Sequence, residues 1–252
     1  MTPKASATGP GRLDMVLVKR GLAPSRARAR DLIKRGLVAV AGKIETRPAA
    51  AVAEGAPISV SGAQHYVSRG AVKLAAALDH FGFAVAGVVA LDVGASTGGF
   101  TQVLLERGAE RVYAVDVGHG QLHARLAQRP GVVSLEGRDA RTLDRVAIPQ
   151  PLDAIVADVS FISLTKALPA ALALARPGAW LVALVKPQFE AGRAAIGKGG
   201  IVRDAAARQG AVEGVRAWLS NEAGWRVAGV IAAPIAGGSG NQEFLLGAVH
   251  AR

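Results

Sequence analysis

Cysteine is absent from the 252 residues, which excludes disulfides, thiolate metal sites and thiol catalysis; no metal is expected. Aromatic residues are scarce, 4% of a chain that is 50% hydrophobic. The core therefore has to be assembled from Ala, Val, Leu and Ile, the composition of layered α/β proteins rather than of disordered chains. Long apolar runs are missing too. Asp153, Asp158, Lys166, Arg176 and Lys186 punctuate the most apolar region, and no window reaches the roughly 18 uninterrupted apolar residues of a membrane helix. Met1 to Gly11 lack the apolar stretch of a signal peptide and read as a flexible tail, so a soluble, cytoplasmic protein is expected. Acidic residues are the minority: 19 Asp and Glu face 30 Lys and Arg, a formal charge of +11. Such a surface favours polyanions, nucleic acid being the usual one.

Two regions differ in character. Residues 12–60 form a small unit with two short helical patterns, then short β-like pieces split by Gly42-Lys43, Arg47-Pro48 and Gly55-Ala-Pro57. In the first pattern Leu13, Val16, Leu17 and Arg20 fall at helical spacing and Gly21 stops it. Ser25 caps the second, Arg26 to Arg35, where Ala27, Ala29, Leu32 and Ile33 supply a buried side. Arg26, Arg28, Arg30, Lys34 and Arg35 are left for solvent or ligand. Residues 61–67 read as a linker. Beyond it, residues 68–252 alternate. Leu74 to Phe83 is predicted helical, and strands are predicted at Val88 to Val93, Val112 to Val117, Val132 to Glu136, Ala154 to Asp158 and Trp180 to Lys186, with Arg226 to Ala232 and Glu243 to Val249 as a closing antiparallel pair. This βαβ rhythm implies a doubly wound, mostly parallel sheet.

The first predicted strand of that region runs into Gly94-Ala-Ser-Thr-Gly-Gly99 and a helix beginning near Phe100. Glycines at a first βα turn suit close approach to a ligand at the carboxyl edge of the sheet. A nicotinamide site would show Gly-x-Gly-x-x-Gly, with a pyrophosphate on the helix N-terminus; this loop lacks that spacing and begins with Asp92, which suits a ligand carrying an ammonium and hydroxyls. Asp116 ends the next strand, where a carboxylate can accept from a ribose diol, and Val117 follows it. Gly137-Arg-Asp139 with Ala140 is a candidate contact to an adenine edge. The alternative is that these acids merely cap strand ends. Together the residues favour S-adenosylmethionine.

Four further residues stand where surface charge is not the easiest explanation. Asp158 and Lys186 end strands at the ligand-binding edge, Lys73 opens a helix, and Glu243 precedes the last strand. A sugar hydroxyl is a poor nucleophile, so methyl transfer to it needs proton removal and an in-line donor. A lysine can be that base only with its pKa lowered, by partial desolvation and a neighbouring cation such as Lys73. Asp158 and Glu243 would then orient the amines and the ribose; unconnected salt bridges are the other reading. The loop from Gly192 to Val202 is either a lid over substrate or a plain connection.

These residues match a known pattern. Val67-Ser-Arg-Gly70 with Lys73, Asp92-Val-Gly-Ala-Ser-Thr-Gly-Gly-Phe-Thr101, Asp116-Val-Gly-His-Gly-Gln121, Ala157-Asp-Val-Ser-Phe-Ile-Ser163, Val185-Lys-Pro-Gln-Phe-Glu190 and Gly240-Asn-Gln-Glu243 occur in that order. With them the chain resembles the TlyA family of ribosomal RNA 2′-O-methyltransferases, related to the FtsJ-like enzymes, over essentially Arg12 to Val249. The resemblance implies a Rossmann-like class I methyltransferase fold and an S-adenosylmethionine site over Asp92, Gly94, Ala95, Ser96, Thr97, Gly98, Gly99 and Phe100, with Asp116, Val117, Asp139, Ala140 and Asp158. It also implies a Lys-Asp-Lys-Glu tetrad, matched by Lys73, Asp158, Lys186 and Glu243, with Lys186 as the base.

The amino-terminal unit is similar to a small α+β RNA-binding domain shared with a small-subunit ribosomal protein. Arg12, Arg26, Arg28, Arg30, Lys34, Arg35 and Lys43, with Arg69 beyond the linker, would then grip phosphates with little sequence reading. Family members methylate a cytidine ribose in 23S ribosomal RNA, and a longer subgroup also acts on 16S; the implied partner is ribosomal RNA within subunits. One departure stands out. Gln64-His-Tyr-Val67 replaces a common Arg-Ala-Trp-Val, so a role for that Arg or Trp does not carry over. The family's old haemolysin label makes a membrane-lytic protein the first rival, against which the strand-length apolar pieces argue. A non-catalytic, RNA-binding ribosome-assembly factor is the second.

Overall fold

In the computed structural model the described residues are 11–23, 25–34, 36–60, 66–221, 223–238 and 240–251. The tail up to residue 10, Arg35, and Gln64 and His65 of the linker lie outside them. The chain divides into two compact units, residues 1–65 and 66–252.

In the first unit, β1 (Gly11–Arg12) leads into α1 (Leu13–Lys19), followed by α2 (Arg26–Lys34), β2 (Val38–Val40), β3 (Lys43–Ile44), β4 (Ala51–Val52) and β5 (Ile58–Val60). β1 pairs antiparallel with β4, and β3-β2-β5 form a three-stranded antiparallel sheet. The sequence sets both helix ends: Gly21 and Gly36 take φ of 69° and 68°, left-handed values that stop a helix at little cost only in glycine. Leu13 and Leu17 of α1 meet Ala29, Leu32 and Ile33 of α2 over Val38 and Val52. Ala27, expected on the buried side, is exposed, because the buried stripe runs 29, 32, 33 and residue 27 points away from it.

The second unit opens with α3 (Gly70–Phe81), then β6 (Val89–Val93), α4 (Gly99–Glu106), β7 (Arg111–Asp116), α5 (Ala124–Ala127), β8 (Val132–Glu136), β9 (Leu152–Ala157), α6 (Leu164–Ala167), α7 (Pro169–Leu172), β10 (Ala175–Val185), α8 (Pro187–Glu190), α9 (Ala205–Asn221), β11 (Trp225–Ala232) and β12 (Phe244–His250). Seven strands form one sheet in the order β11-β12-β10-β9-β6-β7-β8. β10, β9, β6, β7 and β8 run parallel, and β12 is antiparallel to both β10 and β11.

Alternation along the central strands places successive side chains on opposite faces. Leu91, Val93, Tyr113, Val115, Ile155 and Ala157 join a core with Leu164, Leu172, Val215 and Leu219 of α6, α7 and α9. Ala90, Val112, Ala114, Ala154 and Val156 face Leu74 and Leu78 of α3 and Val103 and Leu104 of α4. Helices thus cover both faces, which is why these strands read as continuous apolar runs. Each such Leu or Ile contributes roughly 1.5–3 kcal/mol by burial. Because β7 lies on one side of β6 and β9 on the other, the chain reverses direction across the sheet at β6, the place where open α/β sheets bind ligands.

Two boundaries differ from expectation. α3 begins at Gly70 and ends at Phe81, since Gly82 takes φ 68° and its N–H bonds the Leu78 carbonyl; Lys73 therefore sits in the first turn. β10 starts at Ala175, with a register shift between Ala175 and Trp180 where Pro177 and Gly178 interrupt the ladder.

Candidate active site

The cleft of about 460 Å³ at the carboxyl edge of β6, β7 and β9 is assembled by the loops those strands feed. Gly94 follows β6 with φ 83°, and a Cβ there would stand 2.6 Å from the Asp158 carbonyl. Only glycine lets the two loops touch. At Gly99 a Cβ would collide with Ser68 Oγ, so this glycine brings the start of α4 against the segment leading to Lys73.

The cleft is lined by Gly94, Ser96, Asp116, Val117, Asp139, Ala140 and Asp158 among others. Asp116 Oδ2 accepts from Ser96 N and Oδ1 from Gly118 N, both at 2.8 Å, so this carboxylate also fixes the two loops that carry it. Asp139 Oδ1 accepts from Arg141 N at 2.9 Å and the carboxylate is forked by the Arg141 guanidinium, which lowers its pKa. It caps the short turn that follows. Ala95, Gly98, Gly99 and Phe100 are buried in packing rather than on the wall. Thr97 is exposed, its carbonyl accepting from His123 N.

Asp92 lies beneath the wall with no exposure. Its Oδ2 accepts from Thr101 N and Oγ1 at 2.8 and 2.7 Å, whereas Oδ1 is buried without a hydrogen-bond partner. Burial, with the neighbouring charges of Asp158 and Asp116, pushes its pKa up to about 7 against the pull of Thr101. An acid held near neutrality beside a cleft lined by further carboxylates suits a cationic ligand. The volume lies in the range of small-molecule sites. The donor set and the space thus fit S-adenosylmethionine.

The four catalytic candidates occupy the same sheet edge. Lys73 and Glu243, 7% and 3% exposed, form an ion pair of 2.5 Å. Lys186, 8% exposed, lies 2.6 Å from Asp158 Oδ1, outside hydrogen-bond alignment, and donates to Ser160 Oγ at 2.9 Å. In the β10–β12 ladder Val185 stands opposite Phe244, which sets Lys186 and Glu243 side by side in sequence register. Each lysine has its own carboxylate: the neighbouring cation expected beside Lys186 is itself paired with Glu243.

Several residues here, among them members of the quoted motifs, receive no individual role from the sequence. Ser160 is the hydroxyl partner of Lys186. Phe161 is 92% exposed at the cleft rim, with φ 65°, a strained conformation for an aromatic residue, and its ring lies 5.2 Å from that of Phe189. Glu190 Oε1 accepts from Leu164 N and Oε2 from Ser163 Oγ, at 2.8 and 2.6 Å, tying the loop after Asp158 to the one after Lys186; burial raises its pKa. Glu136 Oε1 accepts from Gln121 N and Leu122 N and shapes the loop after Asp116. Exposure and tertiary partners, which define these roles, are not written in residue spacing.

In the first unit the basic residues surround a carboxylate that spacing did not single out. Asp14 is fully buried, and Arg12, Arg26 and Arg30 reach it at 3.1, 3.0 and 3.4 Å while staying about half exposed. Arg12 above all, then Arg26, lowers its pKa to about 2 against the cost of burial. Arg28 departs from this group, pairing with Asp31 at 2.7 Å with only 18% of its side chain exposed. Lys34 and Lys43 are exposed, and Arg69 is exposed in the second unit.

Comparison with known proteins agrees with both units. A profile of the S4 domain matches residues 11–58 and one of the FtsJ-like methyltransferases matches residues 66–249. The 16S/23S rRNA (cytidine-2′-O)-methyltransferase TlyA of Mycobacterium tuberculosis is 48% identical, over 93% of this chain and 88% of its own length. Hemolysin A of Brachyspira hyodysenteriae is 39% identical over 93% and 98%. A solved structure described as a hemolysin from Streptococcus thermophilus superposes with a TM-score of 0.73 at 39% identity, covering 97% of this chain and 90% of its own. The chain belongs to the TlyA family of FtsJ-like, S-adenosylmethionine-dependent methyltransferases.

Proposed function

We propose that the protein methylates the ribose 2′-hydroxyl of a cytidine in ribosomal RNA, of the large or the small subunit, with Lys186 as general base. The observation that carries this is the pair of lysine–carboxylate contacts, buried Lys73–Glu243 and Lys186 with the cleft-lining Asp158, at the edge of a cleft that suits the methyl donor. The relative in Mycobacterium tuberculosis, named for the same reaction, supports it. In this reading residues 12–60 are the RNA-binding domain, 61–67 the linker and 68–252 the methyltransferase domain, at work in the cytoplasm.

Asp116 would hold the ribose of S-adenosylmethionine, Asp139 and Ala140 would flank its adenine, and Asp92, buried beneath the wall, would attract the cationic portion through its charge. Bound there, S-adenosylmethionine supplies a methyl group on a positively charged sulfur, ready for displacement by an oxygen. Lys186, held against Asp158 and Ser160, would act in its neutral form, after its ammonium proton has been lost to solvent, and take the 2′-hydroxyl proton as the ribose oxygen accepts the methyl. Lys73 and Glu243 hold the ribose so that its oxygen lies in line, the positioning that makes such a transfer fast. Phe161 offers an exposed ring on which an unpaired base can stack. Arg12, Arg26 and Arg30 grip phosphates without reading sequence, so binding weakens with salt.

A membrane-lytic activity has less support, since among the described residues no helix is long and apolar enough to cross a membrane. The test is transfer of labelled methyl from S-adenosylmethionine to ribosomal subunits lacking the mark. Transfer that is lost in Lys186→Ala, with S-adenosylhomocysteine still bound, is expected. Tight RNA binding without any transfer would favour the assembly-factor reading instead.

A further inference from the structure

Asn241 is 2% exposed and lies two residues before Glu243. Its side chain reaches the segment that follows α8: Oδ1 accepts from Val202 N and Nδ2 donates to Gly200 O, each at 2.9 Å. A carboxamide presents an acceptor and a donor together, so Asn241 joins this segment much as a neighbouring strand would. The segment is a small hairpin in which Gly197 bridges Ile201, with Gly199 and Gly200 at φ of 79° and 75°. Lys198 and Arg203, within it and just beyond it, are exposed, and neither has an ion-pair partner among the described residues.

The turn that carries Asn241 also touches the tetrad. Gly237 N donates to the Asn241 carbonyl at 2.9 Å, and a Cβ on Gly237 would collide with Glu243 Oε1. The carbonyl of Glu243 in turn accepts from Ala233 N at 2.8 Å. One buried residue therefore bonds a basic, glycine-rich hairpin through its side chain and, through its backbone carbonyl, the Gly237 turn that packs against the carboxylate paired with Lys73.

We propose that Asn241 is a positioning residue that couples the hairpin around Lys198 to the Lys73–Glu243 pair, so that RNA phosphates held by Lys198 and Arg203 set the geometry of the ribose site. This rests on the methyl-transfer reading above. The hairpin has two glycines in left-handed conformations and its cations face solvent, so it can adapt to a polyanion. The Asn241 bonds pass that adjustment to a turn two residues from Glu243. A displacement of about 1 Å in such a group can cost about 10²-fold in rate.

The experiment compares the full-length wild type with Asn241→Ala, Asn241→Asp, Lys198→Ala/Arg203→Ala and the combination of the last with Asn241→Ala. Asn241→Asp keeps the shape and loses the Nδ2 donor, which guards against misreading a folding defect; thermal melts and S-adenosylhomocysteine calorimetry should match wild type. With unmethylated subunits, Asn241→Asp should lower kcat by roughly tenfold or more with little change in KM. Removing Lys198 and Arg203 should raise KM and lower kcat in the wild type, yet leave kcat unchanged where Asn241 is already Ala.

Hydrogen exchange supplies a readout independent of turnover. Added ribosomal RNA should slow amides of residues 197–202 and of 237–243 in wild type, but only the former in Asn241→Ala. A wild-type kcat for Asn241→Asp, additive kcat losses, or slowing of both segments in Asn241→Ala would overturn the coupling. If the wild type transfers no methyl, the function reading fails by itself and the exchange pattern still decides the coupling.

Discussion

In the unit of residues 11–60 one buried carboxylate, Asp14, is ringed by three half-exposed guanidiniums; in the unit of residues 66–251 two buried lysines each meet their own carboxylate. The first arrangement keeps a net positive charge on donors that still reach solvent, which suits reversible binding to many phosphates. The second balances its charges and keeps its lysines largely out of water, which strengthens short-range electrostatics and fixes the orientation of the groups. The same two kinds of side chain thus give a solvent-reaching positive surface or charge-balanced pairs, according to burial and to the ratio of cations to anions.

The contrast breaks most visibly at Lys186. Lys186→Ala should slow methyl transfer by roughly 10²–10⁴-fold while leaving RNA affinity near wild type in filter binding; equal losses in both would merge the two regions into one function. Next comes Asp92. With its folded pKa raised to about 7 from 3.8, its contribution to the stability of the free protein is full below pH 3.8 and lost as pH rises through 7. A cationic ligand prefers the ionised form. S-adenosylmethionine affinity by calorimetry should therefore fall as pH drops below 7, by up to about tenfold per unit for one linked proton, and Asp92→Asn should remove that dependence.

In the gripping unit, Arg26→Ala/Arg30→Ala should flatten the salt dependence of RNA binding by about one unit of log–log slope for each phosphate no longer neutralised, with kcat at saturation unchanged. Asp14 carries the opposite sign to Asp92. Its pKa is lowered to about 2, so its stabilising effect is present above pH 3.8 and disappears as pH falls through 2. Asp14→Asn should destabilise that unit by about 1–3 kcal/mol at neutral pH and converge with wild type near pH 2, as followed by amide exchange. Ser160→Ala is the mildest change: loss of one hydrogen bond to Lys186, about 1 kcal/mol, should lower kcat roughly fivefold without altering KM.

The parallel strands were legible because burial on both faces writes continuous apolar runs, and all seven predicted strands lie within a few residues of those observed. Position at strand ends singles out Asp158 and Lys186, whereas joining them with Lys73 and Glu243 into one set rests on the family resemblance and not on spacing. What spacing could not express is who partners whom. Spacing suggests Lys73 as a cation near Lys186 but does not reveal that its own partner is Glu243. Gly94 and Gly99, which the sequence suggests make room for a ligand, also bring loops together, since a Cβ there would run into Asp158 and Ser68. Asp14, Ser160 and Phe161 acquire their places only from tertiary burial and exposure. Ala27 shows the limit of periodicity at short range: in a nine-residue helix, one misassigned face position is enough to move it from core to solvent.

The central claim, that this cleft and tetrad direct a methyl group to a ribose oxygen, is tested most directly by where the methyl lands. Ribosomal RNA from unmethylated subunits, treated with the protein and isotope-labelled S-adenosylmethionine, would be digested to nucleosides and read by mass spectrometry. The account predicts label on the ribose of cytidine, absent when Lys186 is replaced by alanine. Label on a base, or ribose label undiminished in Lys186→Ala, would contradict it.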